Sequence, residues 1–138
     1  MNIIDQSLEI AQSILPEVCG QRKRNKMFHF AFGYSKNKLL SIGQNNPEKT
    51  NAKAWRLSQK FNTDIVYPYL HAETDLVSKL WGRHYIDNRL KIVVIRLNRN
   101  GQLRESKPCK RCSKILKSLD VNQLWWSTED GFKQAARN

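Results

Sequence analysis

Cysteines, acidic side chains and long apolar runs are all scarce in this chain of 138 residues. It has three cysteines, and because Cys109 and Cys112 form a CxxC pair, Cys19 is left alone. No disulfide framework is therefore available, and we expect a reducing compartment. No stretch approaches the roughly 18 consecutive apolar residues of a membrane span, and the first residues lack the basic and apolar segments of a secretory signal. We therefore expect a cytoplasmic protein with no membrane partner.

The shortage of acidic residues leaves the chain strongly basic. Twelve Asp and Glu stand against 24 Lys and Arg, which gives a formal net charge of +12. Such an excess attracts polyanions and phosphorylated substrates over long distances. We therefore expect an anionic partner, and a basic surface without a dedicated ligand is the alternative. Several of these charges lie together in the segment from Arg22 to Lys26.

The composition gives no sign of a division into two domains. Hydrophobic residues make up 40% of the chain and charged residues 26%, which suits one globular domain with a sizeable core. We expect residues 1–138 to form a single domain.

The hydrophobic pattern predicts alternating helices and strands. The predicted helices are residues 5–15, which end before Pro16, 71–81 and 109–119, and the predicted strands are 27–34, 39–43, 90–97, 124–128 and a short one from Phe132. The polar residues 45–64 are expected to be partly helical. The Asp-Gly pair at residues 130–131 favours a hairpin turn, which makes the last strand antiparallel. This order predicts a layered α/β domain.

Two aromatic residues near the end of the chain are expected to face opposite sides of one strand. Trp125 and Trp126 are adjacent, so their side chains alternate. One of them is expected in the core, and the other is a candidate for stacking on a base.

His71, Cys109 and Cys112 offer one nitrogen and two sulfur donors, which are ligands that zinc prefers. A catalytic zinc site has three protein ligands and keeps its fourth position for water. The two cysteines are three residues apart, so they share one face of a first helical turn, where the helix dipole favours thiolates. Glu73 is close enough in sequence to exchange a proton with water at the metal, as general base and then general acid. The alternative is a structural zinc site that His84 completes as fourth ligand.

The HAE triplet at residues 71–73 and the PCxxC motif at residues 108–112 resemble the signature of zinc deaminases. The chain is similar to the cytidine and deoxycytidylate deaminase superfamily over residues 27–131. This resemblance implies a three-layer α/β/α domain with a mixed five-stranded sheet and a Zn²⁺ cofactor at the three ligands. It also implies substrate contacts from Ala72, Pro108 and the Cys109 backbone beside the metal. Asn45 is the expected sugar contact in the loop that follows Gly43, with Asn46 as the alternative.

These motifs define the chemistry more closely than the substrate. Nucleoside deaminases usually have cysteine at the position of His71, whereas deaminases of nucleotides, transfer RNA and polynucleotides usually have histidine. Thr74 to Leu76 depart from the deoxycytidylate subfamily, and Arg111 to Lys114 depart from the transfer RNA adenosine subfamily. Related enzymes often self-associate, so the resemblance also implies a homo-oligomer.

The leading hypothesis is therefore a hydrolase that converts a cytosine nucleotide, CMP or dCMP, to the uracil nucleotide and releases ammonia. One alternative is a deaminase of cytosine or adenine within single-stranded DNA or RNA, which the basic charge favours. The other is a zinc-binding module without catalysis.

Overall fold

The computed structural model describes residues 2–50, 69–83, 86–121 and 123–135. The first elements are α1 (Ile3–Gln21), β1 (Met27–Ser35), β2 (Lys38–Gln44), β3 (Asn46–Thr50), β4 (Tyr69–Leu70) and α2 (Ala72–Leu80). They are followed by β5 (Leu90–Asn98), β6 (Leu103–Arg104), α3 (Lys110–Ser118), β7 (Gln123–Thr128) and β8 (Gly131–Gln134). None of the helices in these ranges has the length and apolarity that crossing a membrane requires.

The main sheet is mixed, with the strand order β2-β1-β5-β7-β8. Strand β1 is antiparallel to both of its neighbours, β5 and β7 are parallel, and β8 is antiparallel to β7. Strands β2, β5 and β7 therefore run in one direction, and α2 and α3 lie in the connections between them. The short strand β6 also pairs with β5, and β3 and β4 form a separate pair. The predicted mixed five-stranded sheet and its antiparallel last strand are confirmed, and β6 is an addition that the sequence did not indicate.

Strand β1 separates two apolar layers because its alternate side chains face opposite sides of the sheet. Four buried aromatic residues face α1, and they are Phe28, Phe30, Phe32 and Tyr34. Ala31 faces the other side, where it packs with Leu76 of α2 and Leu116 of α3. The predicted α/β/α layering is confirmed, with one helix on the first face and two on the second.

One predicted helix end differs from the structure, and one predicted segment is described only in part. The predicted end of the first helix is wrong, since α1 continues through Pro16 to Gln21. A proline inside a helix costs about 3 kcal/mol, and burial of Val18 beyond it offsets this cost by about 1.5–3 kcal/mol. In the segment 45–64, which is predicted to be partly helical, residues 46–50 pair as strand β3. Residues 51–64 fall outside the described residues, so the helical part stays a prediction.

Candidate metal centre and active site

The metal-ligand candidate His71 is fixed at the start of α2. It is the N-cap residue of that helix. The Thr74 hydroxyl accepts a hydrogen bond from the His71 backbone N–H at 3.2 Å and donates one to the His71 carbonyl at 3.0 Å. The backbone of His71 is therefore held from both sides by one side chain of the first helical turn.

Gly43 determines how closely this helix start approaches the sheet. A Cβ atom at Gly43 would lie 2.1 Å from the carbonyl oxygen of Ala72, so only glycine allows the contact. Gly43 is paired with Ala31 of β1, and Ala31 is paired with Val94 of β5. His71 therefore lies near the carboxyl end of β2, and an α/β sheet usually binds its ligands at the carboxyl ends of its strands.

The two cysteines are positioned by the start of α3. Cys109 is its N-cap residue, and the Cys109 sulfur accepts a hydrogen bond from the Cys112 backbone N–H at 3.5 Å. The loop before it is anchored by buried Ser106. Its N–H donates to the Ser127 carbonyl at 2.9 Å, and its hydroxyl donates to the Val94 carbonyl at 3.0 Å. These bonds hold the PCxxC loop at the same sheet edge as His71.

The three predicted ligand atoms converge. The Nδ1 atom of His71 lies 3.6 Å from the Cys109 sulfur and 3.4 Å from the Cys112 sulfur. In a tetrahedral site with Zn–N near 2.05 Å and Zn–S near 2.3 Å, a nitrogen and a sulfur ligand are about 3.6 Å apart. The nitrogen and sulfur donors therefore fit zinc both in chemistry and in spacing. Among the described residues, the donor atoms within 4.8 Å of one another belong to these three side chains, and Glu73 is outside the set.

The pKa values of the two thiols are shifted in opposite directions. The hydrogen bond with Cys112 is the main reason that the pKa of Cys109 is lowered to about 3, and the His71 ring adds to this effect. The hydrogen bond with Cys109, followed by burial, raises the pKa of Cys112. The pair thus shares one proton beside an imidazole. A cation in place of that proton would satisfy both sulfurs.

Glu73 is buried beside this cluster, in the first turn of α2. Its side chain is only 6% exposed. Burial is the main cause that raises the pKa of its carboxyl group, and hydrogen bonding to Cys112 and the charge of His71 oppose this rise. A carboxyl group with a raised pKa can hold a proton close to neutral pH. The position of Glu73 outside the donor set agrees with the proton-transfer role that we predicted.

His29 and Arg96 extend the site, and the sequence did not indicate either of them. They are directly paired on β1 and β5. Alternation places both on the face that carries α2 and α3, together with Ala31 and Val94. Burial, then the charge of Arg96, then that of His71 lowers the pKa of His29 to about 4. Arg96 is one of two charged residues in the mainly apolar run Leu90–Leu97, with Lys91, and this was the one available signal.

Arg96 donates a hydrogen bond to the loop that precedes the PCxxC motif. Its Nη1 atom donates to the Glu105 carbonyl at 3.3 Å, and its buried Nε atom has no hydrogen-bond partner among the described residues. Arg96 therefore connects the loop that carries Cys109 to the sheet face beneath the site.

The residues predicted to contact the substrate differ in their position and in the hydrogen bonds that they already form. Ala72 is buried at the start of α2, and Pro108 is buried immediately before Cys109. Asn45 follows β2, but its Oδ1 atom accepts a hydrogen bond from the His29 N–H at 3.0 Å. A sugar contact from Asn45 would therefore come from its Nδ2 group. Asn46 begins β3, and the alternative ligand His84 lies outside the described residues.

By sequence, no protein-family model and no curated protein matches the chain. Among solved structures, the chain is similar to a cytidine deaminase from Mycobacterium leprae. The two share 21% sequence identity with a TM-score of 0.51, over 91% of this chain and 87% of that one. The chain therefore has the cytidine deaminase fold, as its two motifs predicted, and its His/Cys/Cys cluster could hold a zinc ion.

Proposed function

We propose that this protein is a zinc-dependent hydrolytic deaminase that converts a cytosine nucleotide, of the CMP or dCMP type, to the uracil nucleotide with release of ammonia. The observation that supports it is the meeting of three zinc-type donors with a buried carboxyl group that is not one of them. A structural zinc site has no need of such a carboxyl group. A hydrolytic site does, because protons must move between water and the base.

Each residue then has a role that follows from its position. The metal would be held by His71 Nδ1 and by the sulfurs of Cys109 and Cys112. Zinc bound there would act as a Lewis acid that lowers the pKa of water to about 7. Glu73 would take the proton of that water and deliver it to the ring nitrogen while the hydroxide adds to the carbon that bears the amino group. It would then take the proton of the new hydroxyl group and pass it to the amino group, which leaves as ammonia as the carbonyl forms.

The substrate contacts remain part of the proposal. Backbone groups of Ala72 and Cys109 and the side chain of Pro108 would border the base, because they adjoin the ligands in the chain. Asn45 would bind the sugar through its amide nitrogen, since His29 uses its oxygen. Arg96 faces the same side of the sheet and would add positive charge near the phosphate. A homo-oligomer stays a prediction.

The test of this function is Glu73→Gln, which keeps the size of the side chain and removes its acid-base chemistry. We expect kcat to fall by about 10²–10⁴-fold, the usual contribution of a general acid-base group, while one zinc per chain is retained. The matched control is Glu129→Gln, an exposed carboxyl group, which should leave turnover unchanged. Ammonia release is measured on nucleosides, monophosphates and short oligonucleotides, with zinc content determined on the same samples.

Unchanged turnover in Glu73→Gln would remove this residue from the mechanism. Bound zinc with no ammonia from any substrate would favour the zinc-binding module without catalysis.

A second candidate is deamination of cytosine or adenine within single-stranded DNA or RNA. It is favoured by the +12 net charge and by the position of the basic connector. Arg22 of that connector hydrogen-bonds the Asn45 carbonyl, which brings exposed Lys23, Arg24 and Lys26 near the proposed substrate loop. A polynucleotide substrate predicts a steep loss of binding with added salt, and a mononucleotide predicts a shallow one.

A further inference from the structure

Helix α3 and the residue before its motif carry a row of exposed lysines. Between Ser106 and Leu119 the chain has five basic residues and no acidic one. Four of them are exposed, and we call Lys107, Lys110, Lys114 and Lys117 the lysine row. Their spacing of three, four and three residues places them along one side of the helix. Positive charge at a helix start opposes the helix dipole, so folding alone does not explain a lysine at the first position of α3.

The lysine row borders a groove. A cavity of about 650 Å³ lies between α3 and the β7–β8 hairpin, with Lys107, Pro108, Lys117, Leu124, Trp126 and Ala135 among its lining. A second cavity, of about 440 Å³, is lined by all four lysines of the row, together with Pro108 and Ser113. The lysines thus stand at the border of two concave surfaces, and both surfaces start at Pro108, next to the ligand Cys109.

The floor of the groove is aromatic. Trp126 is partly buried, and its ring lies 5.9 Å from the Nζ atom of Lys107. Its buried Nε1 atom has no hydrogen-bond partner among the described residues. Its cross-strand neighbour on β8 is Lys133, which is exposed and shares the same sheet face. The indole ring therefore lies beside the Lys107 cation, and a second lysine, Lys133, pairs with Trp126 across the strands.

Three lysines of the row, Lys107, Lys110 and Lys117, form no ion pair with a carboxyl group of the described residues. Asp87 and Asp120 also line the first cavity, whereas the lining of the second contains no carboxyl group.

We propose that the lysine row and Trp126 bind single-stranded nucleic acid, with phosphates along the row and a base on the indole ring. Proteins that bind single strands combine a positively charged groove with aromatic stacking surfaces. Helix α3 has nine residues and is therefore about 14 Å long, and the lysine row offers one cation to each of about four phosphates of a strand that follows it. A duplex keeps its bases paired and stacked, so it cannot offer one to Trp126. This binding site goes beyond the proposed deaminase function and does not depend on it.

The experiment measures binding of a fluorescein-labelled 20-nucleotide oligothymidylate to the zinc-loaded full chain by fluorescence anisotropy. Thymine has no amino group, so turnover cannot influence the result, and oligouridylate serves as the RNA arm. We expect binding whose log–log slope against salt is about −3, because four neutralised phosphates contribute about 0.7 each. The variant K110E/K114E/K117E should bind at least tenfold more weakly with a shallower slope.

The matched control is K36E/K38E/R83E, which changes the net charge by the same amount at exposed basic residues that line neither cavity and should weaken binding much less. Trp126→Leu should weaken binding several-fold without changing the salt slope, because it removes stacking and keeps the charges. Zinc content and thermal unfolding of every variant establish that it is folded.

No binding at low salt, or an equal loss in both triple variants, would overturn the proposal. Binding to anionic phospholipid vesicles in place of either oligonucleotide would overturn it as well. Oligonucleotide binding in a protein that releases no ammonia from any substrate would refute the proposed deaminase and leave this site standing.

Discussion

His29 is a partly buried imidazole that has Arg96 and His71 as basic neighbours. Burial is the largest effect on its pKa, and the charges of Arg96 and His71 act in the same direction, which brings it to about 4. His29 is therefore neutral at neutral pH. Its backbone N–H is bound to Asn45 at 3.0 Å, so the residue also fixes the end of β2. A neutral ring here lets a basic strand residue and a metal ligand lie close together without a third positive charge.

This pKa predicts a dependence of stability on pH. Between pH 6.5 and pH 4 the folded state binds fewer protons at His29 than the unfolded state, so stability falls as the pH is lowered through this window. A pKa lowered from 6.5 to about 4 corresponds to a loss on the order of 3 kcal/mol. We predict that His29→Gln loses less stability than the parent protein between pH 6.5 and pH 4. Urea unfolding of both metal-free proteins measures the difference, and parallel pH curves would contradict the prediction.

At the residue scale, the sequence indicates some residues of the candidate site and not others. His71, Cys109, Cys112 and Glu73 belong to two short motifs whose spacing follows from zinc chemistry, so their meeting could be predicted. His29 and Arg96 become neighbours only through the pairing of β1 with β5. Their sequence positions give no such information, because the strand register depends on the packing of the whole sheet.

Gly43 connects the residue scale to that of the elements, because it sets the contact between β2 and α2. A Cβ atom there would lie 2.1 Å from the Ala72 carbonyl oxygen and 2.6 Å from the Leu76 backbone nitrogen. Backbone atoms cannot rotate away, so the helix would have to shift. Asp75 adds a second contact between these elements, since its Oδ2 atom accepts a hydrogen bond from the Gln44 N–H at 2.9 Å.

We predict that Gly43→Ala destabilises the fold by about 3 kcal/mol, at the upper end of typical overpacking costs. It should also weaken zinc binding, because His71 moves with α2. Gly20→Ala is the matched control. Gly20 lies in α1 with no heavy atom within 4 Å of an added Cβ, so this change should stabilise by about 0.5–1 kcal/mol. Urea unfolding and zinc competition titrations measure both effects, and similar behaviour of the two variants would refute the role of Gly43.

Helices and strands with a strong hydrophobic periodicity could be predicted from the sequence. Elements that form only through contacts with distant parts of the chain could not. The apolar run of β5 and the apolar faces of α2 and α3 can be recognised in the sequence. Strand β6 is two residues long and exists because Leu103 pairs with Leu97. The continuation of α1 through Pro16 depends on the contact of Val18 with the sheet. Local patterns do not contain these tertiary contacts.

At the scale of the molecule, the candidate metal centre joins two distant parts of the chain. His71 belongs to the connection between β2 and β5, and the cysteines belong to the connection between β5 and β7. The main sheet separates this centre from α1, which packs on the opposite face. A metal at this point would cross-link α2 and α3 above the parallel strands, so metal binding should stabilise the whole domain.

We predict that zinc raises the unfolding temperature of the protein. A ligand that binds only the folded state at 100 times its Kd stabilises by about 2.7 kcal/mol, which for a domain of this size is a shift of roughly 5–10 °C. Unfolding is followed by circular dichroism after chelation and again after addition of one equivalent of zinc. Magnesium, which prefers oxygen ligands, should not restore the shift.

Cys109→Ser, at an exposed ligand, should lose most of the zinc effect and keep the metal-free unfolding temperature. Equal temperatures with and without zinc would mean that the three donors hold no metal, because a cation bound across two helices of the folded state cannot leave its stability unchanged.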